Sequence, residues 1–312
     1  MAKNLSAAPV GIGLIVASSL FYASYGIWTT LLGNYFGGYI ASTFRSILVL
    51  LILVPIAIKY RQLDTVHWRR DWKYFAGLLV SSLLVWGPLY FAIIRDGIAT
   101  ASTINYVTLL LGMFLFGRLL AGERFTKDKL LATGLGIIGL GLVFSPSLGN
   151  LGWVALGAAG ISGLSNAASS VITQQMPYNA TQSIVIAWAA SIVSNLFMIP
   201  IAGERLPVLA WHVQWLYLVI LAVTSVFASW SLIAGLKIIE AGVAGILGLL
   251  EIVFSILFGL IFFRERVSPL MTLGAITIIS AAAIPCIKDF YAERKLKTVP
   301  VKVWVEEDES RD

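Results

Sequence analysis

The sequence predicts an all-α polytopic membrane protein of ten transmembrane helices, arranged as two inverted five-helix repeats. Three observations predict it. Hydrophobic residues fill 58% of 312 positions and charged residues only 12%, about half the charge of a soluble domain. Apolar runs of about twenty residues, the length that crosses a hydrocarbon core as a helix, recur along the whole chain. The chain also resembles itself at a fixed shift, with an odd number of runs in each copy.

The runs place spans at 9–32, 39–58, 73–94, 97–119, 128–146, 150–174, 179–201, 212–236, 240–262 and 268–287. Breaks fall at polar or Gly/Pro punctuation: Gly33 to Gly38, Lys59 to Lys73, Arg95-Asp96-Gly97, Gly122 to Lys129, Ser145-Pro146-Ser147, Met176-Pro177, Gly203 to Pro207 and Arg264 to Ser268. From Leu130 to Gly203 there is no charged residue at all. Pro88, after Gly87 inside the third span, predicts a kink. The first run is long enough to span and lacks a cleavage pattern, so it reads as a retained helix. Residues 288–312 read as a solvated polar tail.

Ten spans place both termini on one side. With that side cytoplasmic, seventeen basic residues lie inside and four outside (Arg95, Arg205, Arg264 and Arg266), with Arg45 alone within a span. This is the asymmetry of the positive-inside rule, and it predicts cytoplasmic termini; the expected location is a bacterial plasma (inner) membrane. The net charge of +6 is spread over these loops and calls for no nucleic-acid partner. A single cysteine, Cys286, excludes a disulfide framework and any cysteine metal cluster. No cofactor is expected.

A shift of 142 places residues 91–138 on 233–280. Leu115-Phe116-Gly117 falls on Leu257-Phe258-Gly259, and Glu123-Arg124 falls on Glu265-Arg266. The chain therefore divides into 1–147, 148–287 and the tail 288–312. Because each half holds five spans, the second enters the membrane upside down. Inverted repeats recur in secondary transporters, where mirrored halves expose a central site to either side in turn.

The segment from Ala99-Thr-Ala-Ser through Leu119-Leu-Ala-Gly-Glu-Arg-Phe resembles the signature of EamA-type members of the drug/metabolite transporter superfamily. So does the segment from Glu240-Ala-Gly-Val-Ala through Leu249-Leu-Glu251 to Phe263-Arg-Glu-Arg-Val. Gly-rich helices follow at Leu130 to Phe144 and Leu270 to Ile284, and the resemblance covers about residues 9–287. Two positions depart from the pattern: Arg264 stands where Gly is usual, and Ile252 follows Glu251 where Pro is frequent. The resemblance implies ten helices, cytoplasmic termini and transport, often export, of amino acids or other small metabolites.

Candidate site residues are the polar groups within spans. Glu251 lies near the middle of the ninth span, where a carboxylate costs several kcal/mol unless neutralised, paired or facing a cavity. Gly245, Gly248, Ser255 and Gly259 surround it at helical spacing and predict a protein-packed face. Glu251 thus reads as a proton-coupling or amine-binding group, against the alternative of a structural hydrogen bond. Arg45 reads either as snorkelling outward or as pairing with Glu251 or a substrate carboxylate. Ser102, Asn105, Ser165, Asn166, Tyr22 and Tyr25 suit a cavity wall or interhelical glue, the latter about 0.6 kcal/mol per bond. Trp86, Tyr90 and Trp230 suit packing against an apolar or aromatic substrate. Trp28, Trp72, Trp153 and Trp211, at span ends, read as an interfacial belt.

Some motif matches carry no chemistry. Gly134-x-Gly136-x-x-Gly139 has dinucleotide-fold spacing but lies inside an apolar helix without a strand before it. Gly160-Ile161-Ser162-Gly163 looks like the serine motif of rhomboid proteases, but His67 and His212, the two histidines, fall outside the spans. The sequons at Asn4 and Asn179 are expected on the cytoplasmic side. The expected function is secondary transport of a small molecule, with protons as coupling ion, by a monomer or homodimer. A flippase for a lipid-linked intermediate is the alternative, and a membrane-embedded enzyme fits less well.

Overall fold

The computed structural model describes residues 8–33, 35–145, 152–205 and 212–297. Among them the regular structure is helical throughout: α1 Ala8–Ala23, α2 Tyr25–Leu32, α3 Gly38–Lys59, α4 Trp72–Asp96, α5 Ile98–Ala121, α6 Lys127–Phe144, α7 Trp153–Gln175, α8 Ala180–Ile201, α9 Val213–Leu236, α10 Ala241–Gly248, α11 Leu250–Phe263 and α12 Pro269–Lys297. Helix is what lipid demands, because it satisfies every backbone donor and acceptor within the segment. Among the described residues, nine stretches are long and apolar enough to cross a membrane. The expected span at 128–146 is α6, whose first turn carries Lys127, Asp128 and Lys129, leaving fifteen uncharged residues from Leu130 to Phe144.

Two expected spans are interrupted. The first breaks at Ser24, between α1 and α2, and the ninth at Leu249, between α10 and α11. At Leu249 the ladder tightens to i→i+3 bonding: its N–H reaches Ile246 O at 3.2 Å, and Ile252 N–H reaches Leu249 O at 3.0 Å. Neither break has a proline. The helix with Pro88 inside it, α4, runs unbroken from Trp72 to Asp96. Past the expected end at 287, α12 continues to Lys297, and residues 298–312 lie outside the described part.

The helices pack across the midpoint of the chain. α3 lies against α8, α6 against α12, α4 and α5 against α7, and α1 against α9, α10 and α11. Each contact keeps its sense when the halves are exchanged. The α6–α12 contact is backbone to backbone, since a Cβ on Gly139 would lie 3.0 Å from Gly274 O, and one on Gly274 would lie 2.7 Å from Gly139 O. Small residues permit this approach, and dispersion then holds helices that lipid gives no hydrophobic reason to associate. Helix packing is therefore the work of Gly139 in the nucleotide-like motif.

Polar clasps join the helix ends. Glu123, after α5, accepts from the N–H groups of Ala241 (2.6 Å) and Gly242 (3.2 Å), the first residues of α10. Glu204, after α8, accepts from Tyr39 N–H (3.0 Å) and Ile40 N–H (2.9 Å) at the start of α3. Each carboxylate satisfies orphan donors and the positive end of a helix in the other half of the chain. Lys129 pairs with Glu240. Tyr178 donates to Asp71 Oδ2 at 2.5 Å and accepts from His67 N–H, tying the α7–α8 connection to the turn before α4. Lys237 Nζ donates to Thr173 O and Met176 O at the end of α7, and burial pushes its ammonium down to about 8.

Candidate functional site

A cavity of about 470 Å³ lies in the middle of the bundle, walled by every helix except α6 and α12. Eight of the sequence candidates line it: Glu251, Arg45, Asn105, Ser102, Tyr22, Tyr25, Asn166 and Trp86. Ser165 is half-buried and Trp230 is 43% exposed, and neither reaches the cavity. Each precedes or follows a wall residue, Asn166 or Ser229, and one residue along a helix turns the side chain by about 100°. The side chain of Tyr90 lies outside those described, as do Trp211 and the Asn4 sequon.

Arg45, on α3, is only 8% exposed. Its guanidinium lies 5.3 Å from the ring centroids of both Tyr25 and Trp188. Two aromatic faces lower the cost of a desolvated cation without using its donors. One nitrogen donates to Ser42 Oγ at 3.4 Å, while Nε is buried with no hydrogen-bond partner. The guanidinium is thus held by its faces, with donors left for a ligand. The snorkelling alternative does not fit a side chain buried between two rings.

Glu251, in the first turn of α11, accepts a hydrogen bond from the Tyr106 hydroxyl at 3.1 Å on Oε1. Among the described residues no ion pair within 4.0 Å joins it to Arg45. The cavity therefore carries one guanidinium and one carboxylate, unpaired with each other. The packed face expected around Glu251 is mixed. A Cβ on Gly245 would touch Met113, but one on Gly248 would meet nothing within 4 Å, and Ser255 is exposed. Gly248 widens the cavity beside the carboxylate.

Several hydroxyls and amides are glue. Ser162 donates to Val85 O at 2.5 Å and accepts from Asn105 Nδ2 at 2.8 Å, binding α4, α5 and α7. This accounts for the serine of the protease-like motif and commits one donor of Asn105. Ser18 bonds Ala228 O, and Ser19 bonds Ile15 O and Leu247 O. Sequence reasoning passed over Tyr106, Trp188 and the wall hydroxyls Ser169, Ser170 and Thr173. The last three extend from Asn166 at three- and four-residue spacing, the stripe of one helix face. Of the belt tryptophans, Trp72 and Trp153 are 57% and 87% exposed, whereas Trp28 packs with Leu32, Phe36 and Ile40.

Comparison with known proteins matches the chain to the model of the EamA-like transporter family twice, over residues 9–145 and 153–285. A solved structure described as "Crystal structure of protein" superposes with a TM-score of 0.75 at 16% identity, covering 91% of this chain and 99% of that one. That likeness concerns the fold alone. Among curated proteins there is no match.

Proposed function

The chain belongs to the EamA-like transporter family, and from that premise we propose that it is a secondary transporter of a small metabolite bearing both an anionic and a cationic group. Amino acids and related compounds are the class. The observation that carries this reading is the cavity itself: Arg45 from the first half and Glu251 from the second face the same space without pairing. A ligand carboxylate takes the free donors of Arg45, a ligand ammonium takes Glu251, and the apolar wall of Leu89, Leu109, Leu232 and Ile233 receives its side chain. One charge of each sign disfavours a polyanion.

The units are 1–147 and 148–287, inverted five-helix repeats followed by a cytoplasmic tail at 288–312. Transport proceeds by alternating access, the halves rocking about the central cavity. The exchange symmetry of the helix contacts supports this, as do the clasps in which Glu123 and Glu204 each cap a helix of the other half. The direction is export, from the family resemblance. The protein sits in the bacterial inner membrane with both termini cytoplasmic, as the basic loops ask. Protons drive it through Glu251, and no catalytic role is assigned to any residue.

The test is uptake of a mixed amino-acid and metabolite pool into proteoliposomes, read by mass spectrometry with and without a pH gradient. Selective accumulation of zwitterions that grows with the gradient, and a gradient dependence abolished in Glu251→Gln, are expected. Folded protein that moves nothing from the pool overturns the reading and brings the lipid flippase forward.

A further inference from the structure

We infer that Tyr106 is the positioning residue for Glu251, holding its carboxylate from the opposite half of the molecule at the point where a ligand ammonium or a proton arrives. This role rests on the transporter reading above. Glu251, with three rotatable bonds, lines the cavity from α11, and Gly248 lines it too, where a Cβ would touch nothing within 4 Å. A flexible carboxylate at a cavity wall presents no fixed geometry. Among the described residues, the hydrogen bond it receives is from the Tyr106 hydroxyl, 3.1 Å from Oε1.

Tyr106 suits that task. It belongs to α5 in the first half, packs partly buried against a core cluster that includes Leu110 and Ile252, and has only two torsions to order. A phenol hydroxyl donating to one carboxylate oxygen fixes the orientation of that side chain at the wall. The other ionisable side chains around the cavity are Tyr22 on α1, Tyr25 on α2 and Arg45 on α3. The wall residues from α4, α7, α8, α9 and α10 carry no charge. Because the bond joins α5 to α11, it also crosses between the halves, so a ligand at Glu251 acts on a contact that rocking must keep or break.

Tyr106→Phe removes the hydroxyl and keeps the ring. In proteoliposomes, KM for ammonium-bearing substrates should rise about tenfold, the loss of one charge-assisted bond of roughly 1.4 kcal/mol, while the maximal rate stays within about twofold. In a Glu251→Gln background the same substitution should change nothing further. A separate readout needs no transport: a hydrophobic carbodiimide labels protonated membrane carboxyls, and mass spectrometry reports its yield at Glu251. With the donor gone the carboxyl is no longer held, and Tyr106→Phe should label several-fold faster than wild type. Equal labelling rates, or a loss of transport that is just as large without Glu251, would overturn the assignment. Labelling that responds as expected in a protein that moves no metabolite would keep this inference and sink the transporter reading instead.

Discussion

The fourth helix of the first half and its counterpart in the second differ in course and in what they show the cavity: α5 is one helix, whereas the counterpart breaks at Leu249 into α10 and α11. At the shift that aligns the repeats, Tyr106 and Leu109 of α5 correspond to Gly248 and Glu251 of the broken ninth span. All four line the cavity. Further along, the two helices coincide again. Gly117 and Gly259 each lie against the glutamate that follows, and the N–H groups of Glu123 and Glu265 bond Gly117 O (3.0 Å) and Gly259 O (3.1 Å). What the halves hold in common builds the fold, and where they diverge the cavity gains its chemistry. Arg45 follows the same logic, since the same shift puts Ala187, also a wall residue, at its position in the second half.

The sharpest way to break this comparison is at Arg45, the cation that only the first half supplies. Arg45→Lys keeps the charge but loses the planar fork between Tyr25 and Trp188. KM for carboxylate-bearing substrates should rise ten- to a hundredfold, roughly 1.5–3 kcal/mol of charge-assisted hydrogen bonding. Carboxamide analogues should be indifferent. A uniform loss for both substrate types would show that Arg45 shapes the cavity instead of reading the ligand.

A smaller effect is expected where the halves clasp each other. Glu123→Ala leaves the first N–H groups of α10 uncapped, and Glu204→Ala does the same for α3. Each should cost about 1–2 kcal/mol, the worth of a cap strengthened by the helix dipole. Thermal unfolding in detergent measures it. An unchanged melting temperature in either variant would remove that carboxylate from the list of contacts holding the halves together.

Most of the fold was legible because lipid imposes a simple rule. Span lengths, most breaks and the repeated Glu-Arg turn lie on the surface of the sequence, and the helices follow the expected boundaries within a few residues except at the end of α12, which runs on to Lys297. The ladder breaks at Ser24 and Leu249 were not legible, because no Pro marks them and Gly248, beside the second, is one of several glycines in its span; tertiary context decides them. In the cavity, Glu251 and Arg45 stood out because a charge in a span is costly wherever it points. Ser165 and Trp230 show the limit of such reading: polarity names the helix, and only the rotation of that helix tells wall from outer face. Tyr106 and Trp188 escaped notice because an aromatic residue is at home on any face of a membrane helix. Their role depends on partners 145 and 143 positions away, Glu251 for Tyr106 and Arg45 for Trp188.

The smallest predicted effect tests the part that the halves share. Both turns after the fourth helices use a left-handed residue, Gly122 at φ 68° and Arg264 at φ 54°. Glycine takes that conformation freely, whereas a side chain there meets the following carbonyl, at about 1 kcal/mol or more. The two turns close with the same hydrogen bond to Gly117 O or Gly259 O, so the second half keeps the geometry in spite of its residue. Arg264→Gly should therefore stabilise the protein by up to about 1 kcal/mol, less the greater freedom glycine gives the unfolded chain. Gly122→Arg should destabilise by a similar amount. A melting temperature that rises for the first and falls for the second would establish that the turns are one device. If Arg264→Gly lowers it, the arginine side chain holds a contact that outweighs its strain, and the halves differ at this turn as they do at the cavity.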